Sequence, residues 1–328
     1  MCLSRKIGKI KKIGFTLTLT IMRINLKMTV PVIKYLIYVF IGVSLLMIKQ
    51  CNRRITTGFA QVNGTSLYYE ITGKGTPLIF LHGFTCDHRN WNPQVEYFSK
   101  RFKVITYDAR GHGQSSLPDT VPYSYLEDLT ALINYLNIEK AVVIGHSMGG
   151  APAFLYAKDN PERVLALVLA EGGPVMNDPS IVDTTIIPDY FNEFRSAITV
   201  AQNEGLEKGK EAWLNIQPLR TAAQNPNSSE LLETMINDYS GWHWLNKNPH
   251  KKNLKCTIKL MSQLKCPTLI LAGELSHPVL KDVVNAQAKY IPNSKKVILK
   301  NSNHMLNMEN PEKFNKEVEV FLKQHVKG

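Results

Sequence analysis

No aspartate or glutamate occurs among the first 54 residues, and no Cys-x-x-Cys pair or Cys/His cluster at metal-ligand spacing occurs anywhere in the 328. The second absence excludes zinc-ribbon, zinc-finger and dithiol-redox classes, which need paired ligands a few residues apart. The five cysteines, Cys2, Cys51, Cys86, Cys256 and Cys266, are scattered. A Cys256–Cys266 disulfide is open to an exported domain, but two partly buried thiols are the simpler expectation. The first absence removes the net charge of +12 as a nucleic-acid signal. Eleven of the 39 Lys and Arg lie in that N-terminal stretch, and the remaining 28 face 27 Asp and Glu. Such a near-neutral body has no basic stripe to neutralise a run of phosphates, so no nucleic-acid partner is expected. Internal repeats and low-complexity tracts are missing too.

What the N-terminal stretch does contain reads as an address. Residues 35–48 form an uncharged apolar run. Residues 29–33 extend it to about twenty positions, with Lys34 as the one charge inside, which is long enough to span a bilayer. Eight basic residues, from Arg5 to Lys34, precede the main run, and Lys49, Arg53 and Arg54 follow it. The heavier positive flank stays in the cytoplasm and sends the downstream chain outside. Lys49 and Gln50 are not the small residues of a cleavage or lipidation site. A membrane-spanning signal anchor over about residues 29–48, within a separate segment 1–54, is therefore expected ahead of a secreted form or a lipid anchor at Cys51.

From Gly58 onward, short β-branched runs alternate with helical patterns, which predicts a mostly parallel sheet with helices on both faces. Eight strands are expected, at 59–62, 66–71, 77–81, 103–107, 141–144, 165–169, 268–271 and 296–299. The first two flank Asn63-Gly64, a hairpin-turn dipeptide. Helices are expected at 123–136, 149–159, 281–290 and 311–325. Residues 55–174 and 264–328 would make the core. Residues 175–263, helical in pattern and carrying Trp213, Trp242 and Trp244, read as a cap inserted after the sixth strand.

The chemistry starts at Gly145-His146-Ser147-Met148-Gly149, between an expected strand and an expected helix. Glycines on both sides of Ser147 permit a tight strand-to-helix turn that lifts the serine above the sheet edge. The helix start then offers the Met148 N–H to a developing oxyanion. His82-Gly83-Phe84 follows the third strand, where the Phe84 N–H can be the second oxyanion donor, with His82 as a structural histidine. A serine hydroxyl needs a base at neutral pH. His304, in the loop between the last strand and the last helix, can reach across the carboxyl ends of the strands.

Taken together these motifs resemble the α/β-hydrolase superfamily, in particular its small esterase, lactonase and carbon–carbon hydrolase branch with a helical cap. The resemblance covers residues 59–326 and rests on several stretches. They are His82-Gly83-Phe84 with Trp91, Asp108-Ala109-Arg110-Gly111-His112-Gly113-Gln114-Ser115, Gly145–Gly150 and Pro161-Glu162-Arg163-Val164. Asn303-His304 with Glu309, Pro311 and Phe314 completes the set. It implies an eight-stranded sheet, a Ser–acid–His triad and no cofactor or metal. Asp108 is expected to have a structural role, holding the loop at 110–113.

The chain departs from that pattern at the triad acid. The usual aspartate position after the seventh strand holds Ser276, in Gly273-Glu274-Leu275-Ser276. Two carboxylates can replace it: Glu171, directly after the sixth strand, is preferred, and Glu274 is the alternative. The expected reaction is hydrolysis of a carboxylic ester or related acyl compound by Ser147, His304 and Glu171. Lactonase, lipase, amidase and carbon–carbon hydrolase activity stay open. The rival expectation is a ligand-binding or receptor protein that keeps the pocket without catalysis. Phe84, Trp213, Trp242 and Trp244, with Phe191 and Phe194, are candidates to line the substrate pocket. Aromatics at helical spacing form the core of a cap equally well.

Overall fold

The continuous apolar runs become the middle of one eight-stranded sheet. The structure, a computed structural model, describes residues 55–173, 183, 185–251 and 258–326. Its strands are β1 (Ile55–Val62), β2 (Thr65–Thr72), β3 (Pro77–Leu81), β4 (Lys103–Tyr107), β5 (Ala141–His146), β6 (Val164–Ala170), β7 (Thr268–Gly273) and β8 (Ser294–Leu299). They run in the order β1-β2-β4-β3-β5-β6-β7-β8. β2 pairs antiparallel with both β1 and β4, and all other pairings are parallel. The hairpin turns at Asn63 and Gly64, both with positive φ (48° and 67°), as a two-residue turn matched to strand twist requires.

Alternation along each buried strand feeds two cores. In β3, Leu78 and Phe80 face Trp91, Phe98, Phe314 and Phe321 on one side of the sheet. Ile79 and Leu81 face Leu129, Leu132 and Phe154 on the other. Helices α1 (Asn92–Phe98), α2 (Tyr125–Tyr135) and α3 (Gly150–Asp159) lie between strands β3 and β6. Between β6 and β7 come α4 (Ile187–Glu204), α5 (Leu206–Leu214), α6 (Gln217–Gln224), α7 (Ser229–Asp238), α8 (Trp242–Leu245) and α9 (Ile258–Ser262). α10 (Pro278–Tyr290), α11 (Leu306–Glu309) and α12 (Pro311–His325) close the fold. The inserted helices have a core of their own, around Trp213, Leu232, Met235, Ile236 and Trp244. It is sealed against Cys86, Met305 and Met308 of the sheet domain.

The element bounds differ from the sequence reading where a cap decides them. α2 starts at Tyr125, not 123, because the Ser124 hydroxyl accepts the Leu126 N–H at 3.3 Å. α10 starts three residues early, at Pro278, where proline suits the first helical position and His277 caps it. β1 begins at Ile55 rather than 59, since its first residues pair with the far end of β2. Among the described residues no helix is long and apolar enough to cross a membrane. The expected anchor at 29–48, Cys51 and Cys256 all lie outside the described residues, and Cys266 is a buried free thiol.

Candidate active site

Three strand ends bring the site together. β5 ends at His146, and Ser147 takes a left-handed backbone (φ 49°) before the chain turns into α3. For a residue with a Cβ that conformation costs on the order of 1–2 kcal/mol, which the surrounding packing must hold in place. Ser147 Oγ lies 2.8 Å from His304 Nε2. His304, only 6% exposed, sits in the loop after β8.

Its other ring nitrogen, Nδ1, lies 2.9 Å from Glu171 Oε2. Glu171 follows β6 directly, with φ 48°, and is buried. Its second oxygen, Oε1, accepts the Gly273 N–H at 2.7 Å and the Ser276 hydroxyl. A carboxylate has lone pairs for all three donors. Ser276, at the position where the resemblance expects the acid, thus donates to the carboxylate that contacts His304. Gly172 lets this loop close on the nucleophile, because a Cβ there would stand 2.5 Å from the Ser147 carbonyl oxygen. Glu274 is exposed, and its Oε2 accepts the Asn301 N–H at 3.1 Å. Of the two candidate acids, only Glu171 is brought to His304.

The His82–Phe84 segment leaves β3 and lies over the elbow. A Cβ on Gly83 would meet His146 Nδ1 at 2.8 Å and Ser147 Cβ at 3.4 Å, so only glycine allows this approach. Phe84 and Met148, whose N–H groups were expected to hold an oxyanion, therefore flank Ser147 from two elements. His82 is buried and doubly bonded: Nδ1–H donates to the Gly83 carbonyl (2.8 Å) and Nε2 accepts the Ala109 N–H (2.9 Å). Burial lowers its pKa and keeps it neutral. Asp108 accepts the His88 N–H and the Gln114 N–H, each at 2.7 Å, and so ties down the loop at 110–113.

Two supporting residues were given no role by sequence reasoning. His146 is fully buried and donates from Nε2 to the His304 carbonyl at 2.9 Å, and burial pushes its pKa down to about 3. As the variable residue inside the Gly-His-Ser-Met-Gly motif, it carried no signal of its own. Glu309, 3% exposed, accepts the Asn303 N–H at 2.5 Å beside His304. Burial pushes its carboxyl up to about 7, against the opposing effect of that hydrogen bond. It was visible only as part of the resemblance.

Two cavities border the site. One, of about 30 Å³, is lined by Ser147, His304, Gly83 and Phe84 and roofed by Phe194, Trp213, Pro218 and Leu219. The other, of about 780 Å³, starts at Phe84 and Met148. Trp213 is anchored by its Nε1–H to Thr85 Oγ1 at 2.9 Å. Trp242 and Trp244, also expected there, line neither cavity. Trp244 is buried in the cap's own core, 4.9 Å from the Trp213 ring, and Trp242 lies half-buried on α8. Among the described residues, Asp87, His88 and Asp108 approach one another closely enough for a metal ion. Their oxygens are already engaged, because Asp87 pairs with Arg89 at 2.6 Å and Asp108 holds backbone N–H groups.

Residues 76–311 match the model of a family described as alpha/beta hydrolase fold. An uncharacterized protein of Mycobacterium bovis is 34% identical over 129 residues, covering 39% of this chain and 38% of its own length. The chain thus spans well under half of that relative. The (E)-2-((N-methylformamido)methylene)succinate hydrolase of Acinetobacter baylyi is 24% identical over 79% of this chain and 95% of its own. A solved esterase from Thermogutta terrifontis superposes with a TM-score of 0.68 at 25% identity, covering 83% of this chain and 100% of its own.

Proposed function

The chain belongs to the α/β-hydrolase fold family, and on that footing we propose that it is a serine hydrolase of carboxylic esters or related acyl compounds. The observation that carries this reading is the chain of contacts from Ser147 Oγ to His304 Nε2 (2.8 Å) and from His304 Nδ1 to Glu171 Oε2 (2.9 Å). With Nδ1–H donated to the carboxylate, Nε2 is the basic nitrogen facing the hydroxyl. Ser147 attacks the carbonyl while His304 takes its proton, and Glu171 steadies the imidazolium that forms. The N–H groups of Phe84 and Met148 receive the oxyanion. His304 then protonates the leaving alcohol, and water releases the acyl group by the same route. Serine at the nucleophile position argues against the aspartate-dependent chemistries of the family. The names of the Acinetobacter hydrolase and the Thermogutta esterase agree with hydrolysis.

The rival reading, a binding protein without catalysis, was motivated by the missing aspartate. The bond from His304 to Glu171 speaks against it. Turnover of p-nitrophenyl acetate by the wild type but not by Ser147→Ala tests the choice. The positive-flank asymmetry around residues 29–48 further supports tethering at a membrane with the catalytic domain outside the cytoplasm. Recovery of the full-length chain in the soluble fraction without detergent would contradict that part alone.

A further inference from the structure

The two cavities differ in size by more than an order of magnitude, and on the hydrolase reading that difference constrains the substrate. The one at Ser147 and His304 is small, about 30 Å³, where a cavity of roughly 10–15 Å³ already admits a water, and the cap roofs it with Trp213, Phe194 and Leu219. A reacting carbonyl with one small substituent fits there, and a second long chain does not. The other, about 780 Å³, shares Phe84 with it and takes Met148 as its next wall, so it begins where the two oxyanion donors are. It then follows α3, whose ten residues extend about 15 Å, past Ala151 and Leu155, with Phe191 and Leu260 opposite. Lys158 beside Asp159 stands at the end of α3, and Lys251 at 3.4 Å from Glu127 stands by the first turn of α2, each cation already holding a carboxylate. Among the described residues the lysines and carboxylates along this apolar trough are paired with one another, which suits an uncharged chain.

We propose that this groove along α3 binds the long apolar arm of an ester whose other arm is no larger than about a methyl or methoxy group. Hydrolysis is balanced within the groups described. Water adds across the acyl–oxygen bond, Ser147 carries the acyl group in between, and His304 passes the serine proton to the departing alkoxide. The long arm can be the acyl chain or the alcohol, and the chemistry the groove reads is the same.

Two ester series separate these sources: methyl esters from acetate to octanoate, and acetates from methyl to octyl. Burial of each methylene is worth up to about fourfold in affinity, so kcat/KM should rise at least tenfold along one series, which identifies the arm in the groove. Octyl octanoate, long on both sides, should be at least tenfold poorer than the better single-armed ester. Ala151→Trp, placed early in the groove, should bring the long-to-short ratio toward one. The wild-type series decides even if that variant does not fold. Flat or falling series in an enzyme that still turns over methyl acetate would overturn the groove assignment while leaving the hydrolase reading in place. Should no ester be turned over, calorimetry on Ser147→Ala judges the groove alone. Binding of octyl acetate or methyl octanoate, with none of methyl acetate, supports it, and no binding of either long ester overturns it.

Discussion

Glu171→Gln is the substitution whose effect the geometry defines most closely. The carboxylate receives three donors: His304 Nδ1–H on Oε2, and the Gly273 N–H and Ser276 hydroxyl on Oε1. Glutamine keeps the shape but has one oxygen and one NH₂. The Gly273 N–H is fixed in the backbone, so the amide oxygen turns toward it and the NH₂ turns toward His304. Nδ1 must then accept, the proton moves to Nε2, and the nitrogen facing Ser147 can no longer take the serine proton. Loss of the correct tautomer and of the charge opposite the imidazolium should lower kcat by roughly 10²–10⁴-fold, about 3–5 kcal/mol of barrier. KM should change little, because Glu171 lines neither cavity. The assay is steady-state hydrolysis of a short p-nitrophenyl ester, with a thermal melt to show that the variant folds. Glu274→Gln, at an exposed site whose side chain accepts the Asn301 N–H, serves as the control and should stay within about fivefold. A folded Glu171→Gln enzyme within fivefold of wild type, or a larger loss at Glu274, would refute the reasoning.

Ser276→Asp restores an aspartate where the family usually has one, but here it sets a second carboxylate against Glu171 Oε1. Two like charges at contact cannot both stay ionised, so activity at pH 7 should fall at least tenfold, read by the same ester assay. A gain in turnover would mean that Glu171 does not serve His304. Glu309 has a folded pKa near 7 against an ordinary 4.5. The folded state therefore holds a proton that the unfolded chain has released, and stability contributed by this group falls as pH rises from 4.5 through about 7. Denaturant melts across that window should show wild type losing up to about 3 kcal/mol relative to Glu309→Gln. A pH-independent difference between the two would exclude the buried acid as the cause.

The sheet was legible because its strands carry their own marks. β3 and β4 match their expected bounds, each being a short apolar run stopped by a turn or a charge at both ends. Ends set by capping side chains, as at Ser124 and His277, were missed by two or three residues because a cap depends on geometry as much as on residue type. The meeting of Ser147 with His304, 157 residues apart, was legible through chain order. The partner of His304 was legible only as a preference for Glu171, since Glu171 and Glu274 both follow strands and only the backbone turn at Glu171 (φ 48°) aims one of them inward. Ser276 looked like a defect in the pattern until its hydroxyl was seen on the Glu171 carboxylate. The tryptophans were ambiguous for a simpler reason. Helical spacing puts an aromatic on the buried face of a cap helix, and says nothing of whether that face meets another helix, as at Trp244, or a cavity, as at Trp213.

Labelling of Ser147 by a fluorophosphonate tests the central claim most directly, because the reagent reacts with a serine only when a base and an oxyanion site activate it. Intact-mass and peptide analysis should place one adduct on the peptide holding Ser147. The adduct should be absent in Ser147→Ala and should form at least tenfold more slowly in His304→Ala and Glu171→Gln. An unlabelled Ser147 in folded wild-type protein, together with ester turnover equal to that of Ser147→Ala, would contradict the account.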